Sequence, residues 1–323
     1  MRGRGRSRGA LAALIVGLVS IAGCGGDDDG ATGQQKQTTL RVGLIPIVGV
    51  GPVFLGEKKG FYRDEGLRIK PQFSAGGAEI VPSVMNGSLD IGYSNTVSLL
   101  IAADRGLPLR LLTGGVVGGP DRQRAWDQIM VRKDSKIRAP ADLAGKTVAV
   151  NTLKNIADTT TKESLAKHGV DPESVKLLEV DFPDMPAALK AGRVDAIFEV
   201  EPFVTAAESQ GARAVLPPYE ETSPSLPISN FFTTEQYVGK RRDVVERFVR
   251  ATRRSLAYAR DHPEEVRPLT ADFTKIQPNV RQKMTLPSWN PDIDREGIGL
   301  LDRLNVKYGL YKQPVDLKAL VFE

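Results

Sequence analysis

Leu40–Phe61 reads LRVGLIPIVGVGPVFLGEKKGF, and the order of residue types within it decides the fold class. Leu40 to Ile45 is apolar and alternating, the pattern of a buried strand. Pro46 to Gly51 is a glycine-rich turn, after which Pro52 opens a short helix that Gly60 closes. Proline suits the first helical position and glycine the position just past the last, because of the backbone groups each end leaves free. A strand that passes through such a turn into a helix N-terminus faces a ligand in open α/β sheets.

Toward the C-terminus the same alternation continues. Gly66–Phe73 is a strand, Gly76-Gly77 a turn, Ala78–Asn86 a helix stopped by Gly87, and Leu89–Tyr93 a strand. Ser94, Asn95 and Thr96 are N-cap residues for an apolar helix, Val97–Asp104, and Pro108–Thr113 and Gln128–Val131 are further strands around the polar loop Gly118–Arg124. Strands separated by helices argue for βαβ units and a parallel sheet. The pattern then restarts with the strand Lys146–Val150, the turn Asn151–Asn155, a helix from Asp158 to Lys167, the strand Val175–Val180 and the helix Met185–Ala191. The phrase Asn86-Gly87-Ser88-Leu89-Asp90-Ile91 returns as Ala191-Gly192-Arg193-Val194-Asp195-Ala196, so two similar α/β lobes are expected. Asp195–Phe198 is a strand leading to a helix over Phe203–Ser209. The Pro/Ser/Thr-rich run Pro217–Pro227 reads as free of regular structure, and Ile228–Phe232 resumes as a strand. Val244, Val245, Phe248, Val249, Thr252, Leu256 and Ala259 fall on one helical face, as do Ile298, Leu301, Leu304 and Val306; both stripes read as core.

The chain has 323 residues, enough for two lobes, with 41% hydrophobic and 26% charged residues, which is ordinary for a soluble globular protein. Its formal charge of +5 is misleading. Four of the 44 Lys and Arg (Arg2, Arg4, Arg6 and Arg8) fall within residues 1–23, which hold no acid, so the remainder carries 40 against 39. A case for nucleic acid built on net charge therefore collapses. The basic start, the apolar run Ala10–Val19 and the small residues before Cys24 read as a secretory signal peptide over 1–23. Ile21-Ala22-Gly23-Cys24 matches the bacterial lipobox, and Cys24 is the chain's single cysteine, so lipidation of Cys24 is expected. The polar stretch 24–38 cannot bury enough apolar surface to order itself and reads as a tether.

Several phrases together resemble a known family. The helix ending Glu57-Lys58-Lys59-Gly60-Phe61-Tyr62 followed by Asp64-Glu65-Gly66-Leu67 is one, and Asn86–Gly92 is another. Ala141-Asp142-Leu143-Ala144-Gly145-Lys146-Thr147-Val148-Ala149-Val150, Ala188–Ala196 and Glu201-Pro202-Phe203 complete the set. In this order they are similar to the substrate-binding proteins of ABC importers for nitrate, sulfonates, taurine (SsuA-like) and thiamine-pyrimidine precursors. The resemblance implies an α/β type II periplasmic-binding-protein fold, two Rossmann-like lobes joined by two crossover strands near Gln128–Val131 and Ile228–Phe232. Lobe 1 would comprise 39–130 plus 229–323, and lobe 2 residues 131–228. It also implies a small-molecule ligand, an ABC permease with a cytoplasmic ATPase as partner, and an extracytoplasmic monomer held to the membrane through Cys24. No catalytic role, cofactor, metal or nucleic acid is expected.

Such a fold puts its ligand between the lobes, at strand C-termini and helix N-termini. The candidates from the first lobe are Pro46, Ile47 and Val48 after the first strand, Gly76 and Gly77, and Ser94, Asn95 and Thr96. From the second come Thr152, Asn155, Glu199 and Glu201, with Ser229 and Asn230 at the returning crossover. Free N–H groups and hydroxyls suit a sulfonate or carboxylate, whereas a glutamate facing the cleft would favour an ammonium or N–H donor. Glu201 has a second reading, as hinge or cap of the helix at Phe203. A taurine-like zwitterion and an amino-pyrimidine both satisfy these demands. Plain capping is the alternative for Ser94, Asn95 and Thr96.

Enzyme readings fare worse. Gly49-Val50-Gly51 lacks the third glycine of a dinucleotide fingerprint, since Phe54 stands there, and the second strand ends Lys70-Pro71-Gln72 rather than in an acid. Two histidines and one cysteine make no zinc cluster, and His168 and His262 read as solvated helix-end positions. No Gly-x-Ser-x-Gly elbow occurs. Enzymes of thiamine and menaquinone synthesis resemble the same family but carry no export leader, and a signalling receptor would share every feature above.

Overall fold

The computed structural model describes residues 37–119 and 125–323. The expected signal peptide and Cys24 lie outside the described residues, as does the tether up to residue 36 and most of the polar loop at 118–124.

Leu40–Ile45 forms the expected strand, with slightly different bounds: β1 is Thr38–Leu44, with Leu40, Val42 and Leu44 fully buried. The helix Gly51–Lys59 has Pro52 in its first turn and ends at Gly60, whose φ of 81° is the left-handed conformation that glycine reaches without strain. β1 lies inside a five-stranded sheet ordered β2-β1-β3-β11-β4, where β2 is Leu67–Phe73, β3 Ile91–Asn95, β4 Leu109–Gly114 and β11 Ser229–Thr234. β2 and β3 run parallel to β1, while β11 is antiparallel to both β3 and β4. A strand buried on both faces must let helices approach closely. Gly43 permits this, since a Cβ there would sit 2.6 Å from Leu89 Cδ1 and 2.9 Å from Ile80 Cγ2.

The second sheet is ordered β10-β6-β9-β7-β8, with β6 Asp127–Arg132, β7 Thr147–Val150, β8 Lys176–Glu179, β9 Ala196–Val200 and β10 Ala212–Leu216. β7 is parallel to β8 and β9, and β6 is antiparallel to β9 and β10. The second sheet therefore repeats the first, strand for strand. The antiparallel member of each is the strand that has just crossed from the other lobe: β6 on the way out and β11 on the way back. Since β6 lies in the second sheet along its whole length, the boundary expected after residue 130 falls before Asp127.

The repeated phrase has a physical basis. Gly87 and Gly192 both stop a helix at positive φ, 77° and 68°. The aspartate three residues on then makes the same bond in each lobe. Asp90 Oδ2 accepts from Arg41 N at 2.8 Å in β1, and Asp195 Oδ2 accepts from Thr147 N at 2.9 Å in β7. Asp90 N and Asp195 N donate back to Arg41 O and Thr147 O, both at 2.9 Å. Each aspartate thus fixes the register of a new strand against the lobe's first.

One expectation fails, and three short strands had no reading in the sequence. Pro217–Pro227 is not wholly irregular, because Pro218 serves as the first residue of a short helix, Pro218–Thr222, where its missing N–H costs nothing. β10 is half-exposed at its start and carries no clear alternation. The two-residue strands β5 (Val116–Val117) and β12 (Ser288–Trp289) pair with each other and tie the C-terminal region to the outgoing crossover. The helical stripe from Val244 to Ala259 is core as expected, inside a helix Glu235–Asp261 that breaks at Arg241.

Candidate functional site

The strand ends of both sheets converge on one cleft. From the first lobe it is lined by Ile45 and Ile47, which follow β1, and by Tyr93 and Asn95 of β3. The second contributes Asn151, Asn155 and Ile156 after β7, Phe182, Val200 at the end of β9, and Tyr219. Trp126, Ile228 and Ser229 come from the crossovers. The enclosed space is about 30 Å³, room for roughly two waters. Three larger hollows, of about 490, 540 and 480 Å³, each lie on a single lobe, the first around Leu107–Arg110 and Gln313–Asp316, the second around Arg132, Pro186 and Gly211, the third around Asp134, Asp142 and Lys146. None touches the carboxyl ends of the parallel strands, where open α/β sheets bind ligands.

The polar groups of the cleft are held by their own elements. Asn95 caps the helix Thr96–Asp104, its Oδ1 accepting from Ser98 N at 2.9 Å and its Nδ2 donating to Ser98 Oγ at 3.0 Å. Asn155 does the same for the helix Ile156–Lys167, with Oδ1 accepting from Ala157 N at 2.9 Å. Ser229 Oγ lies 2.7 Å from Tyr93 OH and accepts from Val116 N at 2.9 Å. Trp126 is only 2% exposed, and its indole Nε1 has no hydrogen-bond partner. Its ring lies 5.7 Å from that of Tyr219, which in turn lies 5.3 Å from Phe198.

Of the residues expected at the site, Ile47, Asn95, Asn155 and Ser229 line the cleft. The others are placed otherwise. Pro46 and Val48 flank Ile47, and Val48 N donates to Glu201 O at 3.1 Å, joining the lobes. Gly76 and Gly77 open the helix Gly77–Met85 at the rim, where a Cβ on Gly76 would lie 2.5 Å from Thr152 Oγ1 across the cleft. Ser94 packs against Gly77. Thr96 Oγ1 donates to Pro227 O at 2.5 Å and accepts from Asn230 Nδ2 at 3.0 Å, so these two residues brace the returning crossover.

Glu199 and Glu201 do not line the cleft. Glu201 caps the helix Phe203–Ser209: its Oε1 accepts from Thr205 Oγ1 at 2.7 Å and Oε2 from Thr205 N at 3.1 Å, while Thr285 N also donates to Oε1 at 2.9 Å. The hinge-and-cap role describes it, and a ligand-facing carboxylate does not. Burial raises its pKa to about 7, with the Thr205 and Thr285 bonds pulling it back. Glu199 is fully buried, and neither of its oxygens has a partner. Desolvation, then the neighbouring Glu201, push its carboxyl well above the usual range. Asp127 is also pushed well up, first by burial and then by the facing Glu220 carboxyl. Among the described residues no N–H or O–H donor reaches Asp127 Oδ1 or Glu220 Oε2. Asp158, raised to about 6 by burial against the pull of Lys154 N, is a fifth buried acid near the cleft walls.

Sequence reasoning missed Tyr93, Trp126, Asn151, Phe182 and Tyr219. A signal existed for two of them. Tyr93 stands two residues before Asn95 on one strand and so shares its face, and Asn151 begins the turn that Asn155 ends.

A family model described as NMT1/THI5 like matches residues 48–266. The taurine-binding periplasmic protein of Escherichia coli (strain K12) is 26% identical over 200 residues, 59% of this chain and 57% of that protein. The riboflavin-binding protein RibY of Chloroflexus aurantiacus is 20% identical over 278 residues, 83% of this chain and 77% of its own. Among solved structures, the alkanesulfonate-binding protein SsuA from Xanthomonas axonopodis pv. citri, bound to MOPS, superposes with a TM-score of 0.72 at 20% identity, covering 87% of this chain and 97% of that one. The desulfurization enzyme DszB is also similar, with a TM-score of 0.63 at 19% identity over 88% of this chain and 96% of that one. The likeness to these structures establishes the two-lobed periplasmic-binding-protein fold.

Proposed function

The chain belongs to the NMT1/THI5-like family, and on that premise we propose that it is an extracytoplasmic solute-binding protein that delivers a small organic nutrient to an ABC permease with a cytoplasmic ATPase. The observation that carries this reading is the cleft itself. It is bounded by the carboxyl ends of both sheets and walled by four aromatic rings and three amides. Among the described residues nothing in that lining resembles a nucleophile with its base: the two histidines, His168 and His262, end helices and are exposed. A cleft between lobes on two crossovers closes when a ligand touches both sides, because only differential contacts shift that equilibrium. Capture without chemistry is what these residues support, and the alternative of an enzyme sharing the fold, as DszB does, has no residue set in the cleft to favour it.

The same reading places the protein at a membrane surface as a monomer anchored through lipidated Cys24, with residues 1–23 removed on export. Among the described residues no helix is long and apolar enough to cross a membrane. Cys24→Ser should release the protein from the membrane fraction; retention there would move the anchor elsewhere. For the solute, a thermal-shift screen of alkyl sulfonates, taurine, nitrate, pyrimidines and riboflavin tests the whole reading. A ligand at 100 times its Kd stabilises by about 2.7 kcal/mol, a shift of several degrees. A screen in which no compound raises the melting point would overturn the proposal.

A further inference from the structure

We infer that the cleft takes an uncharged planar ring bearing a hydrogen-bond acceptor, and that the Trp126 indole N–H is the donor that reads this acceptor. The inference rests on the solute-binding reading above and narrows it.

Three observations meet at this site. The first is the buried donor. The chain has two tryptophans, and both are buried. Trp289 Nε1 donates to Gly49 O at 3.0 Å, whereas Trp126 Nε1, on a cleft wall, has no partner. Buried indole N–H groups find partners as a rule, since leaving one unpaired is costly. It is the one unpartnered buried side-chain nitrogen or oxygen on a cleft-lining residue among the described residues.

The second is the character of the walls. Tyr93, Trp126, Phe182 and Tyr219 contribute aromatic rings, and the rest of the lining is aliphatic apart from Asn95, Asn151, Asn155 and Ser229. Among the described residues no lysine, arginine, histidine, aspartate or glutamate lines the space. A sulfonate drawn out of water needs charge-assisted donors to offset its desolvation. The amides here are engaged, Asn95 and Asn155 as helix caps and Asn151 toward Ala75 O.

The third is what lies behind the walls. Each acidic residue buried there stands within two positions of a lining residue: Asp127 beside Trp126, Asp158 after Ile156, Glu199 and Glu201 on either side of Val200, and Glu220 after Tyr219. Whatever fraction of these groups is ionised adds negative potential to a cleft with no cationic side chain among its described lining residues. That field opposes an anion. A cationic solute gains no direct partner either, because the Glu201 oxygens are held by Thr205 and Thr285 and Glu199 is sealed in the core. A neutral ring that packs against the aromatic lining of the opened cleft and accepts from Trp126 meets these conditions. The helix N-termini at Asn95 and Asn155 favour acceptor atoms at its edge as well.

Calorimetric titration of the full-length protein with nicotinamide, cytosine, uracil and lumichrome, against taurine, ethanesulfonate and nitrate, tests the inference. At least one neutral ring should bind at least tenfold more tightly than any of the three charged probes. Trp126→Phe, which keeps a ring and removes the N–H, should weaken that binding about tenfold while leaving the melting point of the unliganded protein within a degree or two. Preferential binding of an anion or of taurine would overturn the inference and leave the solute-binding reading standing. So would an affinity unchanged by Trp126→Phe. Binding by neither class would bring down both.

Discussion

Glu199 is the residue whose state matters most for stability. It stands one residue from the end of a central strand with no partner for either oxygen, and a carboxylate there would be a buried, unpaired charge. Its carboxyl, like those of Asp127, Glu201 and Asp158, is raised mainly by burial. A raised carboxyl pKa means that the folded state holds its proton more tightly than the unfolded chain. The stabilisation this gives is complete below the unfolded value and is lost as pH rises through the folded one, about 6 for Asp158 and about 7 for Glu201. Surface carboxylates such as Asp142 and Asp261 are lowered by hydrogen bonds and act the other way, but only at more acidic pH. The melting temperature should therefore be higher at pH 5.5 than at pH 8, by roughly 5 °C or more. Glu199→Gln should shrink that difference. The unpaired amide costs the same at every pH, so the change in slope isolates the carboxyl charge; a slope identical to that of the parent would show that Glu199 is not among the groups responsible.

At the scale of elements, the signals that proved legible in the sequence are those that act within a few residues. Pro52 and Gly60 bound their helix because the first turn and the left-handed end have local requirements. Asn95 and Asn155 are N-caps for the same reason, and because caps stand at strand-to-helix turns they also mark the cleft. The recurring Gly-x-x-Asp carries a backbone bond that each lobe needs once. What stayed hidden depends on chain segments far apart. Trp126 and Tyr219 lie on crossover-side segments that reach the cleft only once both sheets have formed, and no periodicity announces that meeting. Glu199 and Glu201 were expected to face a ligand because polar residues at a strand end usually do. Glu201 instead found Thr205 and Thr285, the latter 84 positions away. β5 and β12, at two residues each, are too short to show alternation.

For the molecule as a whole, access is the problem the fold has to solve. A space of about 30 Å³ admits no organic solute, so entry requires the lobes to part about the crossovers that precede β6 and β11. Besides the bonds that Val48 N and Thr285 N make to Glu201, the contacts that resist parting can be named. Asn151 Nδ2 reaches Ala75 O at 3.5 Å on one rim. On the other side, the helix Ile156–Lys167 of the second lobe meets the helix Arg295–Lys307, whose chain continues to Val321 beside β4 of the first. There Thr159 Oγ1 donates to Asn305 Oδ1 at 2.8 Å, and Glu163 Oε2 accepts from Lys307 Nζ and from Tyr308 OH, both at 2.7 Å. This set is a latch, since it is made only when the lobes touch. Lys307 is half-exposed, and partly exposed ion pairs contribute about 0.2–1 kcal/mol. Glu163→Ala should accordingly lower the apparent Kd of any solute by roughly two- to fivefold, through a higher population of the opened form that admits it. It should act chiefly on the association rate, with no change in which solute is preferred. Small-angle scattering of the unliganded variant should show a larger radius of gyration than the parent. If scattering and affinity are both unchanged, the lobes are held by the cleft walls alone, and the latch contributes only to the packing of its own two helices.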